Sequence, residues 1–229
     1  MITPEEIRKI HPSPIVAVIG ATLPQRPYKR EMGAEVGYHL RKYLEKTKGT
    51  IMTGGVYGIG VDSYLGIVKF CRERKLSDDR FFTAIPETDL VEEDDCLWEV
   101  EYQLPEPYNE LARYMSKSEV TSYRVGKTME ERRTGLAEIA DAFVMVNGGQ
   151  GTLDEALLGL TKGKKVIILE ESGGVAANLK YIVESAVSPI TGISNVSIRG
   201  NDYNNIDPRN IFMVQNAQET VRTLARNFK

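Results

Sequence analysis

The residues with the clearest chemical potential lie in "NGGQGTLDE", Asn147 to Glu155, which follows the apolar run "AFVMV" and leads into "ALLGL", apolar at helical spacing. Gly148, Gly149 and Gly151 allow the backbone to approach a ligand closely, and a helix starting beside them offers free N–H groups. That combination suits a phosphate. A second glycine-rich loop, "TGGVYGIGVD", also stands between a strand-like run and a helix-like one. In the helix "GKTMEERRTGLAEIA", Met129, Arg132, Arg133, Leu136 and Ala140 recur every three or four residues and so share a face. Two arginines thus fall within an apolar stripe. They read either as a solvated pair at its edge or as a guanidinium aimed at a phosphate or carboxylate. Glu155 has two readings as well. With Thr152 three residues before it, it forms a capping box, a spacing that Thr128 and Glu131 repeat. Alternatively, its carboxylate stands one turn into a helix whose start binds phosphate, within a few ångströms of a phosphorylated substrate.

Neither common nucleotide fingerprint is met. In G-x-G-x-x-G the third glycine would fall at Asp154 or Ser63, and in "TSYRVGKT" Thr121 occupies the first glycine position of a P-loop.

These loops need a scaffold, and the chain supplies one. Strand-like runs at 15–20, 50–53, 81–85, 119–123, 142–146 and 165–169 alternate with helical stretches, and "IFMV" with a terminal helix "AQETVRTLARNF" closes the chain. Several runs are apolar throughout, as strands covered on both faces require. The expected fold is therefore α/β: a Rossmann-like, doubly wound, mainly parallel sheet with helices on both faces. Ligands of such sheets bind outside the carboxyl ends of the strands, where both glycine loops lie. One domain over 1–229 is expected, with an acidic insertion at about 87–115. From Glu87 to Ala112 that insertion carries ten Asp or Glu residues and no Lys or Arg. It reads as a solvated excursion, with a substrate lid or a partner surface as the alternatives. The segment "SPITGISNVSIRGNDYNNIDPRN" is rich in turn formers.

Composition narrows the function. At 41% hydrophobic and 27% charged residues, the 229-residue chain has the balance of an ordinary soluble protein. It has no apolar run near the roughly 18 residues that cross a membrane, and "MITPEEIRKIHPSP" lacks the pattern of a secretory signal. A cytoplasmic location is the expectation. The net charge of −3 weighs against a sequence-independent nucleic-acid binder. His11 and His39 have no cluster of ligands around them, and Cys71 and Cys96 no metal-ligand spacing, so no metal is expected.

"NGGQGTLDE" and "MEERR", with "ADAFVMV" filling the strand before the glycines, resemble the cytokinin-activating phosphoribohydrolases, the LOG proteins long mislabelled lysine decarboxylases, within a wider group of Rossmann-like nucleotide-binding proteins. That family's signature is P-G-G-x-G-T-x-x-E after an M-x-x-R-K helix. Here Asn147 stands for the proline and Arg133 for the lysine. The resemblance implies cleavage of the N-glycosidic bond of a nucleoside 5′-monophosphate to free base and ribose 5-phosphate. By position, it implies Arg132 and Glu155 as the catalytic pair, and Gly148, Gly149, Gly151 and Thr152 around the phosphate. Gly20, Ala21, Thr22, Gly54, Gly55 and Arg133 would border the nucleotide. It implies no metal or organic cofactor, and a homodimer or larger homo-oligomer. The alternative is a non-catalytic binder of a nucleotide or a phosphorylated cofactor such as molybdopterin, for which the glycines would suffice and Glu155 would not be needed. A DNA-binding relative is the third reading.

Overall fold

The computed structural model describes residues 1–22, 24–54, 58–77, 80–87 and 120–228. Seven parallel strands form one sheet: β1 (Ile15–Gly20), β2 (Thr50–Thr53), β3 (Phe81–Ile85), β4 (Thr121–Arg124), β5 (Ala142–Val146), β6 (Lys165–Leu169) and β9 (Ile211–Val214). Their order is β4-β3-β2-β1-β5-β6-β9. The winding reverses between β1 and β5, whose last residues, Gly20 and Val146, are register partners. At that point the loops after neighbouring strands diverge and leave a crevice.

The apolar strands follow from double coverage. Ala17, Ile19, Phe143, Met145, Val166 and Ile168 pack with Leu136 and Ile139 of α4 (Met129–Ile139) and with Leu153, Leu157 and Leu160 of α5 (Gln150–Thr161). The alternate residues Val16, Val18, Val144, Val146 and Ile167 join Val36, Leu40 and Leu44 of α2 (Arg30–Thr47), Tyr64 and Ile67 of α3 (Ile59–Arg74), and Leu224 of α7 (Ala217–Asn227). With helices on both faces, neither side of a strand remains for polar residues.

The expected strands fall where the sequence puts them, except that the fourth runs Thr121–Arg124, starting two residues later and ending one later, as an exposed edge. Two elements escaped the sequence reading. Helix α1 (Pro4–Ile10) starts at Thr3 with a complete capping box to Glu6 and buries only Ile7. Within the turn-rich segment, after the short helix α6 (Leu179–Glu184), β7 (Ser194–Ile198) and β8 (Asn201–Ile206) form an antiparallel hairpin. Its two-residue turn, Arg199 and Gly200, has positive φ at both positions (52° and 81°), the geometry that matches strand twist. The acidic insertion lies outside the described residues apart from Glu87. No described helix is long and apolar enough to cross a membrane.

Candidate active site

The crevice at the carboxyl ends of the strands is a cavity of about 360 Å³. Gly20, Ala21, Thr22, Gly54, Arg132, Arg133, Gly149, Gly151, Thr152 and Glu155 line it, joined by Gly60 and Met129. Ten of the twelve residues singled out from sequence therefore meet at one place. Gly55 lies outside the described residues. Gly148 does not line the cavity: at φ +108° it makes the turn, and a Cβ there would come within 2.7 Å of Thr152.

Helix α4 carries Arg132 inward. Thr128 caps the helix, accepting from the Glu131 N–H at 3.2 Å, and Gly135 on the next turn lets α4 pack on Val125, which a Cβ there would reach at 2.3 Å. Arg132 is 3% exposed. Its Nε donates to the Ala84 carbonyl at the end of β3 (3.0 Å), and its Nη1 donates to Glu155 Oε1 (2.5 Å). Its Nη2 lies against Gly54, just after β2, where a Cβ would sit 1.8 Å away. Gly54 thus makes the space in which the guanidinium lies. A buried arginine so engaged is fixed in position and keeps its charge.

The capping-box reading of Glu155 is overturned. Helix α5 starts at Gln150 with Gly149 as its cap, and the first helical bond runs from the Leu153 N–H to the Gly149 carbonyl (3.1 Å). Thr152 therefore lies inside the first turn, and Glu155 is a turn further on, too deep to reach the helix start. Its carboxylate, 7% exposed, turns to Arg132. Thr128 and Glu131 make half of their box: the Glu131 carboxylate accepts from the Lys127 N–H instead of the Thr128 N–H.

The loop before α5 is held from behind by Asn147. It is buried, has φ 54°, donates its backbone N–H to Ser172 Oγ (2.6 Å), and donates its side-chain amide to the carbonyls of Ser172 (2.6 Å) and Gln25 (3.0 Å). A proline could supply neither that N–H nor that φ. Asn147 is thus a clamp joining the loops after β1, β5 and β6. Among the described residues, no group of His, Cys, Asp and Glu has the arrangement of a metal site. His11 is structural: it is buried, stacks on Phe82 at 4.3 Å, and places Nε2 3.0 Å from Tyr123 Oη.

Residues 99–172, which include α4, β5, the glycine loop, α5 and β6, match the family model described as "possible lysine decarboxylase". This is the name under which LOG proteins were long mislabelled, and the segment is the one in which the LOG resemblance is densest. Among solved structures, the chain is similar to TM1055, a structural genomics target, with TM-score 0.58 and 19% identity over 93% of this chain and 98% of that one. It is also similar to DNA processing protein A from Helicobacter pylori, described for its single-stranded DNA binding mode, with TM-score 0.52 and 15% identity over 94% of this chain and 81% of that one. At these identities both likenesses bear on the Rossmann-like fold alone. No curated protein matches the chain.

Proposed function

We propose that this protein is a nucleoside 5′-monophosphate phosphoribohydrolase, cleaving the N-glycosidic bond to give free base and ribose 5-phosphate. The observation that carries this reading is that the buried Arg132–Glu155 pair opens onto the same cavity as Gly149, Gly151 and Thr152. A phosphate at the start of α5 would meet N–H groups and the positive end of the helix dipole. The sugar would then extend toward Glu155. As the base departs, positive charge grows on the ribose, and a carboxylate fixed by Arg132 stabilises it while water attacks C1′. Arg132 orients Glu155 and offers positive charge to the departing base without forming a covalent bond. A cavity of about 360 Å³ is within the size range of small-ligand sites.

Two other readings are weaker on specific grounds. A pyridoxal-dependent decarboxylase needs an amine for its Schiff base, and no lysine is among the described residues lining the cavity. A pure nucleotide binder has no need of a desolvated carboxylate facing its ligand, since such a group is costly to bury. The test is release of free base from a panel of nucleoside 5′-monophosphates, each beside its unphosphorylated nucleoside. Release from the monophosphates alone supports the reading; no release from any nucleotide that binds would replace it with a sensor or carrier.

A further inference from the structure

Beside the cavity, an interaction chain leads from the glycine loop to the β7–β8 hairpin. Arg133 lies over Gly151, where a Cβ would come within 2.9 Å of its Nη2. Its Nε is buried and has no hydrogen-bond partner. Its Nη1 stands 3.8 Å from Asp154 Oδ2, an ion pair too long for a good hydrogen bond. Asp154 is held more closely from elsewhere: Gln150 Nε2 and Tyr203 Oη both donate to its Oδ1 at 3.0 Å. Tyr203 is 4% exposed, and its ring packs in the core with Val196 and Ile206. Burial and the neighbouring Asp154 push its hydroxyl up to about 12, so it stays a donor at any physiological pH. A second polar cavity of about 530 Å³, lined by Asn201 to Asn205 of the hairpin, also borders Arg133.

This is the arrangement of a guanidinium aimed but not saturated. Asp154 neutralises Arg133 and limits its swing, yet its own hydrogen bonds go to Gln150 and Tyr203, so Arg133 keeps donors free at the edge of the glycine loop. An anion at the start of α5 would accept from the Nη groups, of which Nη2 lies nearest to Gly151.

We propose that Asp154 and Tyr203 are positioning residues that act through Arg133 to set the affinity of the cavity for the phosphate of its ligand. This rests on the reading of the glycine loop as a phosphate site, and it assigns part of the phosphate end to a hairpin outside the glycine-loop core.

The test is calorimetric binding of AMP and of adenosine to wild type, Arg133→Ala, Tyr203→Phe and the double variant. Phenylalanine keeps the buried ring and removes only the hydroxyl. Wild type should prefer AMP to adenosine. Arg133→Ala should cut that preference by about thirtyfold and Tyr203→Phe by about fivefold, in keeping with a hydrogen bond to a charged group and an ordinary one. In the Arg133→Ala background, Tyr203→Phe should cost nothing more, because it has nothing left to position. With base release as the readout, the Tyr203→Phe loss should fall in KM for AMP and not in kcat. A Tyr203→Phe protein that weakens AMP and adenosine equally, or whose loss adds in full to that of Arg133→Ala, would overturn the proposal. So would a wild type with no preference for AMP. Because the binding measurements need no turnover, failure of the hydrolase reading alone would show as preference for AMP without base release.

Discussion

Two buried carboxylates stand in first turns or just beyond on helices that cover opposite faces of the sheet, each paired with an arginine, and they differ in what remains uncommitted. Asp62 of α3 accepts from Arg30 Nε at 2.9 Å on one oxygen and from Tyr28 Oη at 2.8 Å on the other, with its side chain 1% exposed. Desolvation pushes its carboxyl up, while Arg30 and Tyr28 pull the other way. Its role is complete: it ties the residues that open α2 to the start of α3. Glu155 gives Oε1 to Arg132, and among the described residues no donor engages Oε2, although the side chain lines the cavity. Burial and an arginine partner are therefore common to both. What separates a structural carboxylate from a candidate for chemistry is an unengaged oxygen facing open volume.

The sharpest way to break this comparison is to remove each charge in turn. Glu155→Gln should lower kcat for base release by about a thousandfold, the scale of losing a group that stabilises transition-state charge, with a lower melting temperature because Arg132 stays buried without its counter-charge. Asn147→Pro, which installs the residue of the LOG signature, should destabilise the protein by about 3 kcal/mol in denaturant titration, because it forbids φ 54° and deletes the N–H that Ser172 accepts. Gly54→Ala should cost about a hundredfold in kcat, since its methyl would occupy the space of Arg132 Nη2 and displace the guanidinium. Asp62→Ala should cost about 2 kcal/mol of stability, read as a shift in the unfolding midpoint. Arg30 is a third exposed and water takes up part of its charge. Base release per folded molecule should persist. If Asp62→Ala instead abolished activity while the fold survived, the distinction between the two carboxylates would collapse.

The smallest effect concerns pH. Burial against Phe82 holds His11 below its usual value of 6.5. The folded state thus favours the neutral ring, and between the two values the unfolded chain binds more protons. Stability should be whole above pH 6.5 and decline as pH falls through the lower, folded value. Melting curves from pH 7.5 to 5 should show the decline, and His11→Gln should flatten it. Any steeper loss of activity over that range would then belong to the site and not to the fold.

How much of this was legible in the sequence depends on the range of the physics. The central strands were readable because a strand covered on both faces must be largely apolar, as "IVAVI" and "AFVMV" are, whereas the edge strand at Thr121–Arg124 is polar and was placed less closely. The glycine loop at 148–151 was readable from residue type and spacing, whereas the pairing of Arg132 with Glu155 came from the resemblance to the LOG signature. The β7–β8 hairpin was not, since only Ser194, Val196, Tyr203 and Ile206 are buried in it and its polar positions read as turns. Asn147 was read as a departure from a signature, whereas it is a clamp between loops more than a hundred residues apart in sequence. Tyr203 and Asp154 meet through one hydroxyl across 49 positions, a contact that leaves no local pattern. The capping reading of Glu155 stayed open beside the catalytic one because Thr-x-x-Glu spacing does not tell a helix capped at Thr152 from one that starts at Gln150.

The most direct test of the central claim combines two readouts on one sample of Glu155→Gln: AMP affinity by calorimetry and release of adenine from the same AMP. The account predicts affinity within a few-fold of wild type and release lost by about a thousandfold, because the carboxylate acts on charge that appears only as the base departs. A variant that still releases adenine at the wild-type rate, or one that loses binding and release together, would contradict it.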